Sequence, residues 1–242
     1  MIPLRDTIPA RRFPVVNTVL IGVNVLVFLF EVALGPEQLG LFIATCGLAP
    51  ARFWQGGGGL SRWWPLLTSM FMHAGWWHLL SNMLTLYIFG DNVEDHLGRL
   101  RYLVFYVLAG LVAGIAHMAI NANSPVPTVG ASGAIAGVLG AYMLLYPRAR
   151  VVTLLPIFYF VRIVQIPAVI YLGFWFVSQF FNGILALGAT GVLQAGGVAW
   201  WAHIGGFVFG LVIVRLIAPR APKPPQSPPY YGDRYTRRPR RW

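Results

Sequence analysis

Charge is what this chain has least of. Only 10% of its 242 residues are Asp, Glu, Lys or Arg, against roughly 25% in a soluble domain. Hydrophobic residues make up 57%, and the mean hydropathy is +0.65. These values exclude an ordinary water-soluble domain and leave a polytopic membrane protein. Cysteine is also nearly absent: Cys46 stands alone, so no intrachain disulfide can form and the redox compartment stays open. No His-Glu pair occurs, which excludes the His-Glu-x-x-His zinc helix. An aspartyl mechanism needs two membrane-embedded aspartates, and Asp91 at a helix end is the one near candidate. No internal repeat is visible, which counts against a transporter that uses His78 and His203 as a proton relay.

Six stretches are apolar enough to cross a bilayer, which takes about 20 residues: 15–33, 74–90, 101–120, 130–146, 163–187 and 197–218. The second and fourth are short and carry polar or glycine-rich positions, which suits helices buried inside a bundle. The expected architecture is all-α: a cytoplasmic N-terminus (1–14), a six-helix membrane domain (15–218) and a disordered basic cytoplasmic tail (219–242) rich in proline and arginine. Arg5, Arg11 and Arg12 precede an apolar run too long for a signal-peptide core, so the first segment reads as a membrane helix rather than a cleaved leader. The short N-terminus lacks a transit signature, which points to a prokaryotic plasma membrane.

With the N-terminus inside, Arg99, Arg101, Arg148, Arg150 and Arg162 fall in inner loops, Arg215 falls at the inner end of the last segment, and seven more basic residues fall in the tail. Only Arg52 and Arg62 remain outside, as the positive-inside rule requires. Anionic lipid is a nearer partner for the tail than nucleic acid, and no nucleic-acid role is expected. In this topology helices two, four and six all start on the outer side. Polar residues lie at those starts: His73, His78 and Asn82 on helix two, Ser132 on helix four, and His203 about two turns into helix six.

Polar groups inside apolar segments are costly and mark function. His78 and Asn82 are spaced i, i+4 and share a helix face. Ser132, Ala136 and Gly140, flanked by Gly133 and Gly137, together with Ala202, Gly206 and Gly210, form small-residue stripes that allow close helix approach. A serine and an imidazole brought together in this way can act as nucleophile and general base. No carboxylate is well placed to complete a triad: Asp91, Glu94 and Asp95 fall in an inner loop, Asp6 and Asp233 in the termini, and Glu31 and Glu37 near the outer end of helix one. A Ser132–His203 dyad is therefore preferred. His78, Asn82 and the Ser132 backbone N–H are the candidate oxyanion donors. His73 is expected at the interface in a supporting role. No cofactor and no metal are required.

These residues resemble the rhomboid family of intramembrane serine proteases. The resemblance spans most of 14–218 and rests on three motifs: H-x4-H-x3-N (His73, His78, Asn82), G-x-S-G (Gly130, Ser132, Gly133) and A-H-x-x-G-x3-G (Ala202, His203, Gly206, Gly210). It implies that Ser132 is the nucleophile, that His203 is its base, and that His78, Asn82 and the Ser132 amide bind the oxyanion. Transmembrane protein substrates and membrane lipids would be the partners, and the cut would fall near the extracytoplasmic face. Glu94 to Gly98, after helix two, would be structural. The first loop (35–72) would lie partly in the interface as a lateral support. Helix five, with Phe174, Trp175, Phe176, Phe180 and Phe181, would border substrate entry.

Two positions depart from the family pattern. Trp64-Pro65 replaces the usual Trp-Arg, with Arg62 nearby, and Ala136 stands where an aromatic often stacks on the histidine. The rival reading is a catalytically silent rhomboid-like protein that binds or escorts membrane clients.

Overall fold

The computed structural model describes residues 1–56, 59–157, 160–187 and 198–218. The basic tail and residue 197, where the sixth segment was expected to open, lie outside the described residues. Nine α-helices are described: α1 (Val15–Ala33), α2 (Pro36–Cys46), α3 (Pro50–Gln55), α4 (Trp64–Thr68), α5 (Trp76–Leu97), α6 (Arg99–Ile120), α7 (Ser132–Leu145), α8 (Ala168–Leu187) and α9 (Trp200–Ile217). Three strands, β1 (Ile2–Asp6), β2 (Arg150–Ile157) and β3 (Phe160–Pro167), join them.

Four helices, α1, α6, α8 and α9, are long and apolar enough to cross a membrane. The other two expected crossings differ from these. α7 has 14 residues, or about 21 Å, and buries ten of them, from Gly133 to Tyr142. α5 is not short: it runs 22 residues and carries Asp91, Glu94 and Asp95 in its last turns, not in a loop. The helix extends this far because those polar groups find partners. Glu94 accepts the backbone N–H groups of Val16 (3.1 Å) and Asn17 (2.7 Å), capping the start of α1, where helix amides otherwise lack acceptors. Asn17 in turn donates to the Leu86 carbonyl (3.0 Å) and accepts from the Tyr102 hydroxyl (2.7 Å). Gly98, at φ +81°, then turns the chain into α6.

The sheet corrects the all-α expectation. β1, β2 and β3 pair antiparallel in that order, with Asp6 opposite Val151 and Val151 opposite Ile166. Residues 150–167 are dense in Val, Ile and Thr, which favour strands. Ile166 also precedes a proline, which holds it extended. Helix five therefore begins at Ala168 rather than 163. The first residues are likewise a strand and not a free terminus. Asp6 ties this strand to the bundle by accepting from the Tyr142 hydroxyl of α7 and from Asn92 of α5 (2.9 Å).

α7 packs between α6 and α9 with almost no side chain in the way. A Cβ on Gly206 would collide with the Gly133 carbonyl oxygen, one on Gly210 with that of Gly137, and one on Gly140 with that of Phe207. The stripe facing α9 is thus Gly133, Gly137 and Gly140 rather than Ser132, Ala136 and Gly140. On α6, Ala113 and Ala109 touch the Cβ positions of Gly133 and Gly137 (both 2.6 Å). Bulk lies further inward, where Tyr102, Tyr106, Tyr142, Phe89 and Phe105 are fully buried.

Two outcomes follow. Gly206→Ala or Gly210→Ala should lower the thermal midpoint in detergent, at an overpacking cost of about 1–3 kcal/mol. Gly22→Ala, where no atom lies within 4 Å of the added methyl, should leave the midpoint unchanged or raise it; equal losses at all three sites would contradict the contact. The second outcome concerns Asp6, whose carboxyl burial pushes above the ordinary carboxylate range. The folded state then holds that proton more tightly than the unfolded chain, so this group's stabilisation is present in acid and lost as pH rises through its folded pKa. Asp6→Asn should remove that part of the decline between acid and neutral pH, seen as a flatter midpoint-versus-pH curve than the parent's.

Candidate active site

Ser132 is the first residue of α7, and His203 lies in the first turn of α9, not two turns in. The glycine contact between the two helices brings their starts together, and Ser132 Oγ lies 2.8 Å from His203 Nε2. The imidazole is 7% exposed. Its other nitrogen, Nδ1, lies 2.7 Å from Oε1 of Gln179 on α8. An amide oxygen only accepts, so Nδ1 carries the proton and Nε2 is left to accept from the Ser132 hydroxyl, the protonation pattern of a general base. Among the described residues no carboxylate bonds to His203.

The histidines of α5 and the turn before it occupy the adjoining wall. His78 Nδ1 accepts the Ala74 N–H at 3.4 Å, which leaves Nε2 as the donor. That atom lies 2.8 Å from where a Cβ on Gly130 would stand, and Ser132 Oγ is 3.6 Å from the same point. Gly130, at φ +137°, is thus required twice: by a backbone conformation that side chains rarely adopt and by the ring beside it. Asn82 is buried one helical turn along from His78, and its amide nitrogen has no partner among the described residues. His73 is buried within the protein. Its ring meets His78 edge-on at 5.1 Å and Phe28 at 6.5 Å, and both ring nitrogens lack partners among the described residues. Glu31 accepts the His73 backbone N–H at 3.1 Å, so this acid anchors the turn before α5. A cavity of about 30 Å³, large enough for a water, touches Ser132 and is lined by Ser69, His117, Thr128 and Gly130 among others.

A model of the Rhomboid domain matches residues 60–220, from the turn before α4 past the end of α9. The chain belongs to the rhomboid family. It is 44% identical over 82 residues to the rhomboid protease GluP of Bacillus subtilis, which covers 34% of this chain and 16% of that protein. It is 30% identical over 156 residues to the mitochondrial Rhomboid protein 1 of Saccharomyces cerevisiae, covering 61% and 40%. With the RHOMBOID-like protein 5 of Arabidopsis thaliana it shares 34% over 80 residues, 33% and 26%. The chain spans less than half the length of each of these relatives. Family and apolar helices together make it an integral, multi-pass membrane protein.

The two departures from the rhomboid pattern have local answers. Ala136 is fully buried in α7, and the ring on His203 comes from the next helix: Trp175 of α8 lies 5.7 Å away, tilted by 34°, with Trp200 edge-on at 6.3 Å. Arg62 places its guanidinium over Phe53 (5.3 Å) and Trp63 (5.6 Å), bracing the first loop by cation–π contact. The aromatics of helix five divide. Phe174, Phe180 and Phe181 are exposed, whereas Trp175 and Phe176 pack inward near Phe207. Gln179 escapes a motif-based reading, although the cost of a polar residue inside an apolar segment, which singled out Ser132 and His203, applies to it equally.

Gly130→Ala should strain the backbone there and displace His78 from the serine. The expected result is a loss of fluorophosphonate labelling at Ser132, read by mass spectrometry, with a lowered thermal midpoint. Full labelling would contradict the requirement for glycine.

Proposed function

We propose that this rhomboid is an intramembrane serine endopeptidase that cuts transmembrane or membrane-proximal segments of other membrane proteins near the extracytoplasmic face. The observation that carries the reading is the 2.8 Å approach of Ser132 Oγ to His203 Nε2 inside a bundle of mainly apolar helices. A relative named as a rhomboid protease, 44% identical over the aligned part, supports it.

In this reading Ser132 Oγ attacks the scissile carbonyl carbon while its proton passes to His203 Nε2. The same proton then goes to the departing amine, leaving an acyl-enzyme that water cleaves with His203 again as base. The developing oxyanion is met by the His78 Nε2–H, the Asn82 amide and the Ser132 backbone N–H. The last of these begins α7 and so has no intrahelical acceptor. The buried, unpartnered Asn82 nitrogen and the Nδ1 acceptor role of His78 favour those assignments. Six crossings with both termini inside fit the arginine distribution and put the starts of α5, α7 and α9 on the outer side. A substrate helix hides its carbonyls in hydrogen bonds, so cut sites should carry small or helix-breaking residues.

Reconstitution in liposomes with a transmembrane reporter tests the reading. Ser132→Ala and His203→Ala should each reduce cleavage by about 10³-fold or more. Undiminished cleavage by Ser132→Ala would sink the protease reading, and a client that co-purifies but is never cut would favour the silent, escorting one.

A further inference from the structure

We propose that Gln179 is a positioning residue for His203, and that a neutral hydrogen-bond chain anchored in α8 sets the histidine's tautomer; this rests on the protease reading above. Of the 20 residues in α8 only Ala168, Leu172, Gln179 and Gly183 are buried, spaced along one face. Three are the small or apolar residues expected there. The fourth is an amide 6% exposed, costly to bury unless both its ends are paired.

Both ends are paired. Ser178 Oγ donates to the Trp175 carbonyl at 2.6 Å, which commits its proton. It therefore accepts from Gln179 Nε2 at 3.1 Å, which turns Gln179 Oε1 toward His203 Nδ1. That oxygen requires a proton on Nδ1, and Nε2 is thereby the acceptor for Ser132. A flipped amide would need Ser178 to abandon the Trp175 carbonyl, so a backbone group at one end of the chain decides the protonation pattern at the other. Trp175, from the same turn, has its ring 5.7 Å from the imidazole, tilted by 34°. Residues 175–179 thus meet His203 with both a hydrogen bond and a ring.

The test uses the full chain in liposomes with the transmembrane reporter, alongside ¹⁵N-histidine spectra assigned with His203→Ala. Gln179→Leu leaves Nδ1 without an acceptor, so kcat should fall about 10- to 100-fold with KM within about twofold, and the Nδ1-protonated signal of His203 should be lost. Gln179→Glu keeps the acceptor and adds charge. The plateau kcat should survive while the acid limb of the pH profile moves to higher pH, because a facing carboxylate favours the imidazolium. The other titratable side chains around His203 are His78 on α5 and His117 on α6; α8 contributes no charged group, and Arg215 lies twelve residues further along α9. Wild-type kcat in Gln179→Leu, or an unchanged His203 tautomer, overturns the proposal. If Gln179→Leu does not fold, an unmoved acid limb in Gln179→Glu overturns it instead. A parent protein that cuts nothing would refute the protease reading alone, since the tautomer spectra still decide what Gln179 does.

Discussion

The backbone-to-backbone contact of α7 with α9 is the constraint on which the site depends. Ser132 and His203 sit on different helices 71 positions apart, and a hydrogen bond between a short hydroxyl side chain and an imidazole tolerates little change in axial separation. Gly206 and Gly210 lie against the carbonyls of Gly133 and Gly137, and Gly140 lies against that of Phe207. No residue with a Cβ fits there. In a lipid environment the hydrophobic effect does not press helices together, so the close fit of small residues supplies the association and sets the serine–histidine distance at once. Ala109 and Ala113 of α6 extend the same fit to a third helix, fixing α7 from two sides.

A second set of contacts holds the opposite end of the bundle by hydrogen bonds as well as by packing. Glu94 caps α1, Asn17 links α1 to α5 and α6, and Asp6 joins the sheet to α5 and α7. The end with the serine is thus built mainly of glycine, alanine and neutral donors, with Glu31 holding the His73 backbone N–H, and the other end carries Asp6, Asp91, Glu94 and Asp95. This division explains why so hydrophobic a chain retains acids at all. They terminate helices and bind strands, and among the described residues none hydrogen-bonds to His203.

How much of this could be read beforehand depended on the physical signal each element leaves in the sequence. Long apolar segments are legible because their length is set by the bilayer, and α1, α6, α8 and α9 fell within a few residues of their expected bounds. Ser132, His203, His78 and Asn82 stood out because a polar residue in such a segment does, and the structure places Ser132 beside His203. The extent of α5 was not, since its last turns are held by partners on α1 and β1 that no local pattern announces. β2 and β3 were missed, 150–162 being placed in an inner loop and 163–167 in helix five, because an apolar run rich in Val and Ile suits a buried helix and a strand equally well, and only Pro167 marked the boundary. Motif spacing along α7 suggested the stripe through Ser132, whereas the observed face runs through Gly133, rotated by one residue. The ring that covers His203 was sought on α7, where Ala136 stands, and came from α8.

The neutrality of the Gln179 chain has a physical logic in the protease reading. A carboxylate beside His203 would stabilise the imidazolium formed during attack, but an ionised acid in this surrounding loses its hydration and needs several partners in return. A glutamine supplies the same acceptor geometry with no net charge to desolvate. The loss falls on the transition state, where less charge stabilisation reaches the imidazolium. Orientation must then do more of the work, through a ring held at one nitrogen by Gln179, flanked by Trp175 and met at its other nitrogen by Ser132. Because Gln179 and Trp175 both belong to α8, which is mostly exposed on its other faces, the seating of that one helix against α9 governs whether His203 is poised as a base.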